Sequence, residues 1–160
     1  MLVKELTQND WPMVREIYLA GLNTGNASFE TTAPEWEAWD NNHLKHSRLV
    51  AEAKGKIVGW GALSSVSGRC VYGGVAEVSV YIAQEARGKG IGEELLKALI
   101  ESSESHQFWT LQSGIFQENE PSINLHEKCG FRMVGYRERI AQRNGVWHNV
   151  VLMERRSEHV

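Results

Sequence analysis

The sequence predicts a mixed α/β fold, built on a central, mostly antiparallel sheet with helices on both faces. Three observations lead there. Strand-like and helix-like patterns alternate along the whole chain in the order β α α β β β α β α β β. A glycine-rich loop joins a strand to the clearest amphipathic helix near mid-chain. A hairpin turned at Asn144-Gly145 closes the C-terminal end.

Each element has its own signal. Residues 2–6 read as a short strand. Pro12 suits the first turn of a helix over 10–22, in which Met13, Val14, Ile17, Tyr18 and Leu22 share a face. Residues 24–32 are small and polar and read as a loop. Thr32 with Glu35 resembles a capping box opening a second helix with Trp36 and Trp39. Leu49, Ala51 and Ala53 alternate with polar residues, Lys54-Gly55-Lys56 turns the chain, and 57–63 runs back. A Gly/Ser-rich loop at 64–74 precedes a strand over 75–82. In the helix over 91–104, Ile91, Leu95, Leu99 and Ile100 form the buried stripe. A strand follows at 108–116, then a short helix at 121–128 stopped by Cys129-Gly130-Phe131. The final hairpin covers 134–142 and 146–154. No repeat or linker divides the 160 residues, so a single domain is expected over 1–156, with a short tail at 157–160.

Composition narrows the function. With 42% apolar and 23% charged residues the chain has the makeup of a globular domain, neither disordered nor coiled coil. A formal charge of −3 without a Lys/Arg cluster argues against nucleic acid as a partner. No apolar run approaches the roughly 20 residues of a membrane helix, and the first ten residues lack a signal core. The expected location is cytoplasmic, with Cys70 and Cys129 as free thiols.

The strongest local signal is Arg87-Gly88-Lys89-Gly90-Ile91-Gly92. Glycines let backbone N–H groups crowd round an anion, and the helix that follows adds unpaired N–H groups and the positive end of its dipole. Arg87 and Lys89 add charge, so the loop suits a di- or triphosphate ligand. It is not a P-loop, and its glycines alternate too tightly, too far along the chain, for a dinucleotide fingerprint.

That loop has the form [QR]-x-x-G-x-[GA], and Asn119-Glu120-Pro121-Ser122-Ile123-Asn124-Leu125-His126-Glu127-Lys128-Cys129-Gly130-Phe131 has the form N-x-x-[AS]-x-x-L-[YH]-x-K-x-G-F. With both in this order, the chain resembles the GNAT superfamily of acetyl-CoA-dependent N-acetyltransferases. The segments Ala76–Ile82, Ser28-Phe29-Glu30-Thr31 and Trp147-His148-Asn149-Val150 resemble its phosphinothricin and methionine sulfoximine acetyltransferase branch, from about Val3 to Glu154. The resemblance implies a sheet that splays beside the strand 75–82 to make a cofactor cleft. It implies acetyl-CoA held by Val80, Tyr81, Ile82, the loop 87–92, Asn119 and Ser122. It implies a small-molecule amine acceptor near Phe29, Glu30, Arg69, Tyr72 and His148, and His126 as the acid for the leaving thiolate. Gly73 departs from an arginine that some branch members use to grip a substrate carboxylate.

Acetyl transfer needs a base for the ammonium and a donor for the carbonyl oxygen. Glu77, on a strand otherwise rich in Val, Tyr and Ile, is the candidate base; the other reading of it is a half-buried structural carboxylate paired with Arg69 or another cation. The backbone N–H of Val80 is the candidate oxyanion donor, left free by a splay of the sheet, for which a bulge is one route. His43 and His46, read as three apart on a helix, have no third partner, so no metal is expected. Trp36, Trp39, Trp60 and Trp147 fit a substrate pocket, the core or a homodimer contact. Two alternatives stay open: an acetyltransferase for peptide or protein N-termini, and a non-catalytic acyl-CoA sensor.

Overall fold

The computed structural model describes residues 1–160. The chain runs β1 (Leu2–Glu5), α1 (Trp11–Leu22), α2 (Trp36–Asn42), β2 (Arg48–Ala53), β3 (Lys56–Ser65) and β4 (Val75–Ile82). It continues α3 (Ile91–Ser105), β5 (Thr110–Phe116), α4 (Glu120–Lys128), β6 (Arg132–Arg143) and β7 (Val146–Arg156). The seven strands form one sheet in the order β1-β2-β3-β4-β5-β7-β6, antiparallel throughout except between β4 and β5. This is the mixed, mostly antiparallel sheet that the alternating patterns predict.

Strand alternation sorts the core into two halves. Tyr81 pairs with Trp60, and both rings pack against Tyr18 of α1. Val78 pairs with Leu63, and both join Leu96 and Leu99 of α3. One face therefore belongs to α1 and α2, the other to α3 and α4. Trp39 and Trp60 are fully buried and meet edge-on, in a chain of contacts that runs on through Trp11 to Trp36. Trp36, Trp39 and Trp60 thus belong to the core and not to the pocket lining, whereas Trp147 is exposed on the last hairpin. Burying side chains of this size is worth about 2–3 kcal/mol each. Arg48 seals the cluster, its guanidinium 5.1 Å from the Trp39 ring and 2.5 Å from Asp40.

Two local expectations are corrected. α2 has no capping box: Glu35 is its N-cap, and neither Thr32 nor Glu35 caps by side chain. The box pattern sits earlier, where the Asp10 carboxylate accepts the Thr7 amide at 2.9 Å. His43 and His46 do not share a helix, because α2 ends at Asn42. His43 stacks on Trp39 and His46 on His106. Just beyond β7, the Ser157 amide donates to Trp109 and its hydroxyl to Glu104, at 2.8 and 2.9 Å.

The feature that positions the site is a gap. β4 pairs with β3 from Ala76 to Ile82, and β5 pairs with β7 from Thr110 to Phe116. Between them, only Val75–Thr110, Ala76–Leu111 and Glu77–Gln112 pair. Each strand is held by its outer neighbour while the two part, so the expected splay is present. It needs no bulge, since the β3–β4 register runs without a shift.

Candidate active site

The gap opens into a cleft of about 800 Å³. Its walls are β4, the loop after it, the start of α3, β5, α4 and part of the loop between α1 and α2. Along β4, the amide of Ala83 donates to Val58 of β3. Strand alternation then turns the amides of Tyr81 and Ser79 towards β3 and those of Val80 and Ile82 into the gap. Val80 and Ile82 therefore turn backbone groups into the gap, outside the β3 ladder. Tyr81 does not; it contributes its ring to the wall, with its phenol pKa pushed up by burial and by nearby Tyr18 and Glu30. The Ile82 carbonyl is already met by Arg87 Nε at 3.3 Å.

Beyond Ile82 the glycine loop turns through left-handed backbone. Gly88 and Gly90 have φ of +75° and +83°, and a Cβ on either would meet open space. Gly90 is also the N-cap of α3 and has no side chain to satisfy the first amides of the helix. Those amides, Arg87 and the two glycines form an anion cradle on the cleft. Lys89 is exposed and lies outside the wall. Glu93 sits in the first turn, where its charge would oppose an anion, but Lys128 and Lys97 bind it at 2.8 and 2.7 Å. These two bonds, that of Lys128 foremost, pull its pKa down to about 2.

Glu77 lies on the α1 face of β4, half-buried on the cleft wall, and no cation pairs with it. The alternative partner, Arg69, stands over the ring of Tyr72 at 5.6 Å. Arg69 and Tyr72 are both exposed outside the cleft; Tyr72 borders a separate depression with Gln112 and Glu154.

His126, on α4, is 4% exposed. Its Nδ1 lies 2.7 Å from the Ser122 carbonyl, so Nδ1 carries a proton and donates. Its Nε2 is buried without a partner. Burial lowers the pKa of this ring, so Nε2 is a bare acceptor at neutral pH. A leaving-group acid needs the opposite state. Asn119 is likewise engaged: its Oδ1 caps α4 through the Ser122 amide, and its Nδ2 donates to Asn26. It borders the cleft as a brace between α4 and the α1–α2 loop.

The acceptor candidates of the last hairpin and first loop do come together. The Phe29 ring lies 4.7 Å from Phe116 and 6.0 Å from His148, and His148 stacks on Phe116 at 4.3 Å. His148 Nδ1 lies 2.5 Å from Glu118, which lines the cleft. Glu30 is exposed and outside the wall. Sequence reasoning missed Glu118, Phe116 and Tyr18; Glu118 adjoins the Asn119 motif, but nothing local marks it as a partner of His148.

Chain comparisons agree with this geometry. A match to the Acetyltransferase (GNAT) family covers residues 11–131. The chain belongs to that family. A phosphinothricin N-acetyltransferase of Alcaligenes faecalis is 33% identical over 159 residues, 96% of this chain and 81% of that protein. A crystal structure of a ribosomal-protein-alanine N-acetyltransferase from Brucella melitensis superposes with a TM-score of 0.91 at 29% identity, covering 98% and 100% of the two chains. A GNAT phosphinothricin acetyltransferase from Sinorhizobium meliloti, solved in complex with AcCoA, gives 0.89 at 27% identity over 97% and 87%. The GNAT fold expected from the two motifs is thus found, and the chain is an acetyl-CoA-dependent N-acetyltransferase.

Proposed function

We propose that this chain acetylates the primary amine of a small, amino-acid-like molecule by direct attack in a ternary complex with acetyl-CoA. The observation that carries the reading is the parting of β4 from β5. It frees the Val80 amide within a cleft that has an anion cradle at one end and an unpaired carboxylate, Glu77, on its wall.

Acetyl-CoA, when bound, supplies the acyl group as an activated thioester. The glycines and the first amides of α3 suit its pyrophosphate, and the free groups of Val80 and Ile82 suit its amide-bearing arm as an added strand would. The Val80 N–H is fixed by the sheet, so it can polarise a carbonyl oxygen without reorganising. Glu77 accepts the proton of the acceptor ammonium, directly or through a water. His126 acts as a buried acceptor rather than as an acid, which leaves the second amine proton to reach the departing sulfur.

Thiol release from acetyl-CoA tests this, with amino acids, their analogues, polyamines and a peptide beginning with alanine as acceptors. Turnover with small amines supports the reading. Turnover confined to the peptide moves the chain to the substrate class named for the Brucella protein. Cofactor binding with no turnover leaves a sensor.

A further inference from the structure

We infer that Glu118, held in place by His148, is a specificity residue that selects acceptors of net positive charge. The inference rests on the proposed amine acetylation and names the acceptor class within it.

The placement comes from the register. Glu77 lies opposite Gln112, so continuing the β4–β5 register across the gap sets Val80 level with Ile115. Glu77 then stands three residues before the level of the free Val80 amide, and Glu118 three residues after it. At ~3.3 Å per residue the Glu77 backbone is about 10 Å from that level, while Glu118 follows the end of β5 at Phe116, in the turn before α4. An ammonium bound in the cleft would meet both carboxylates on its walls. Both line the cleft, and no Lys or Arg pairs with either, unlike Glu93 with its two lysines. An ammonium, with several N–H donors and a positive charge, suits such a lining. A second, side-chain carboxylate does not, and Gly73 offers it no guanidinium.

His148 is the positioning residue. Its ring is stacked on Phe116 and edge-on to Phe29, which fixes its plane. From there Nδ1 meets the Glu118 carboxylate, whose side chain is 45% exposed and would otherwise sample several rotamers. A carboxylate held in one orientation discriminates charge better than a mobile one.

Steady-state kinetics on paired acceptors that differ in one charge test this: a glutamate-like amino acid, its side-chain amide, and a lysine-like amino acid. The wild-type chain should give the highest kcat/KM with the lysine-like acceptor and the lowest with the glutamate-like one. Glu118→Gln should raise KM for the lysine-like acceptor by about three- to tenfold, given its partial exposure, and shrink the charge preference, with acetyl-CoA affinity unchanged. His148→Phe keeps a flat ring on Phe116 but loses the donor, so it should behave like Glu118→Gln. His148→Asn keeps a donor near the Nδ1 position and should recover part of the preference. A wild-type preference for the glutamate-like acceptor, or a charge preference untouched by Glu118→Gln, overturns the inference while leaving amine acetylation intact. No thiol release with any amine overturns both.

Discussion

The two walls of the cleft are built in different ways. The β4 wall, with its loop and the start of α3, is one continuous stretch, Val75–Glu93, in which neighbours in sequence are neighbours in space. The opposite wall is assembled from β5, α4, the α1–α2 loop and, behind Glu118, the last hairpin. Phe29, Phe116 and His148 meet although more than a hundred residues separate the first from the last. In the function proposed above, the first wall meets the cofactor and the second, made of parts distant in sequence, meets most of the acceptor.

The sharpest break of this comparison is at Glu77, the one acceptor-side group on the continuous wall. Glu77→Gln should lower kcat by about 10²–10⁴-fold while calorimetry finds acetyl-CoA binding nearly unchanged. The deficit should narrow as pH rises towards the pKa of the amine. A variant that turns over at the wild-type rate at neutral pH removes Glu77 from the chemistry.

Next in size is the glycine loop. Gly90→Val must adopt φ +83° with a β-branched side chain, at a cost of order 1–3 kcal/mol. Acetyl-CoA affinity should fall by at least about tenfold, whereas Lys89→Ala, outside the wall, should change it by less than about threefold. Equal losses would show that side-chain charge, not the backbone cradle, holds the anion.

These two walls also explain what was legible in the sequence. The glycine loop, β4 and the α4 motif are local patterns whose meaning survives without tertiary context. The splay was expected because free amides at Val80 require it. Thr32 and Glu35 matched a cap pattern, yet the segment before Trp36 bends differently: Arg15 reaches from α1 to the Ala33 and Pro34 carbonyls. The proton state of His126 was hidden for a related reason. Sequence shows that an imidazole is present, but the Ser122 carbonyl and burial decide which nitrogen keeps the proton. Asn119 is similar, its amide being used by the fold at both ends. Glu118 was invisible because its partner lies 30 residues away on another strand.

A third test is acid stability. Burial is the first cause that lowers the pKa of His43, His46 and His126. Folded pKa values below the unfolded ~6.5 mean that the unfolded chain binds more protons, so stability rises with pH through that region. Thermal unfolding should give a constant Tm above about pH 7 and a falling one as pH drops below ~6.5. His126→Phe, on the α4 wall, should flatten part of that fall; an unchanged slope would mean that His126 is not the neutral buried ring described above.

The smallest expected effect is at Arg69, exposed and stacked on Tyr72. Arg69→Ala should raise KM for a carboxylate-bearing acceptor by about threefold and leave that for acetyl-CoA alone. No change would separate the Tyr72 region from acceptor binding.

The gap between β4 and β5 also writes a signature on hydrogen exchange. Within one strand, Ser79 and Tyr81 turn their amides into the β3 ladder, while Val80 and Ile82 turn theirs into the opening. Exchange protection along β4 should therefore alternate residue by residue, high at 79 and 81 and low at 80 and 82. Adding acetyl-CoA should fill in the low positions without altering the high ones, so the residues that meet the cofactor can be located without trapping a complex in a crystal.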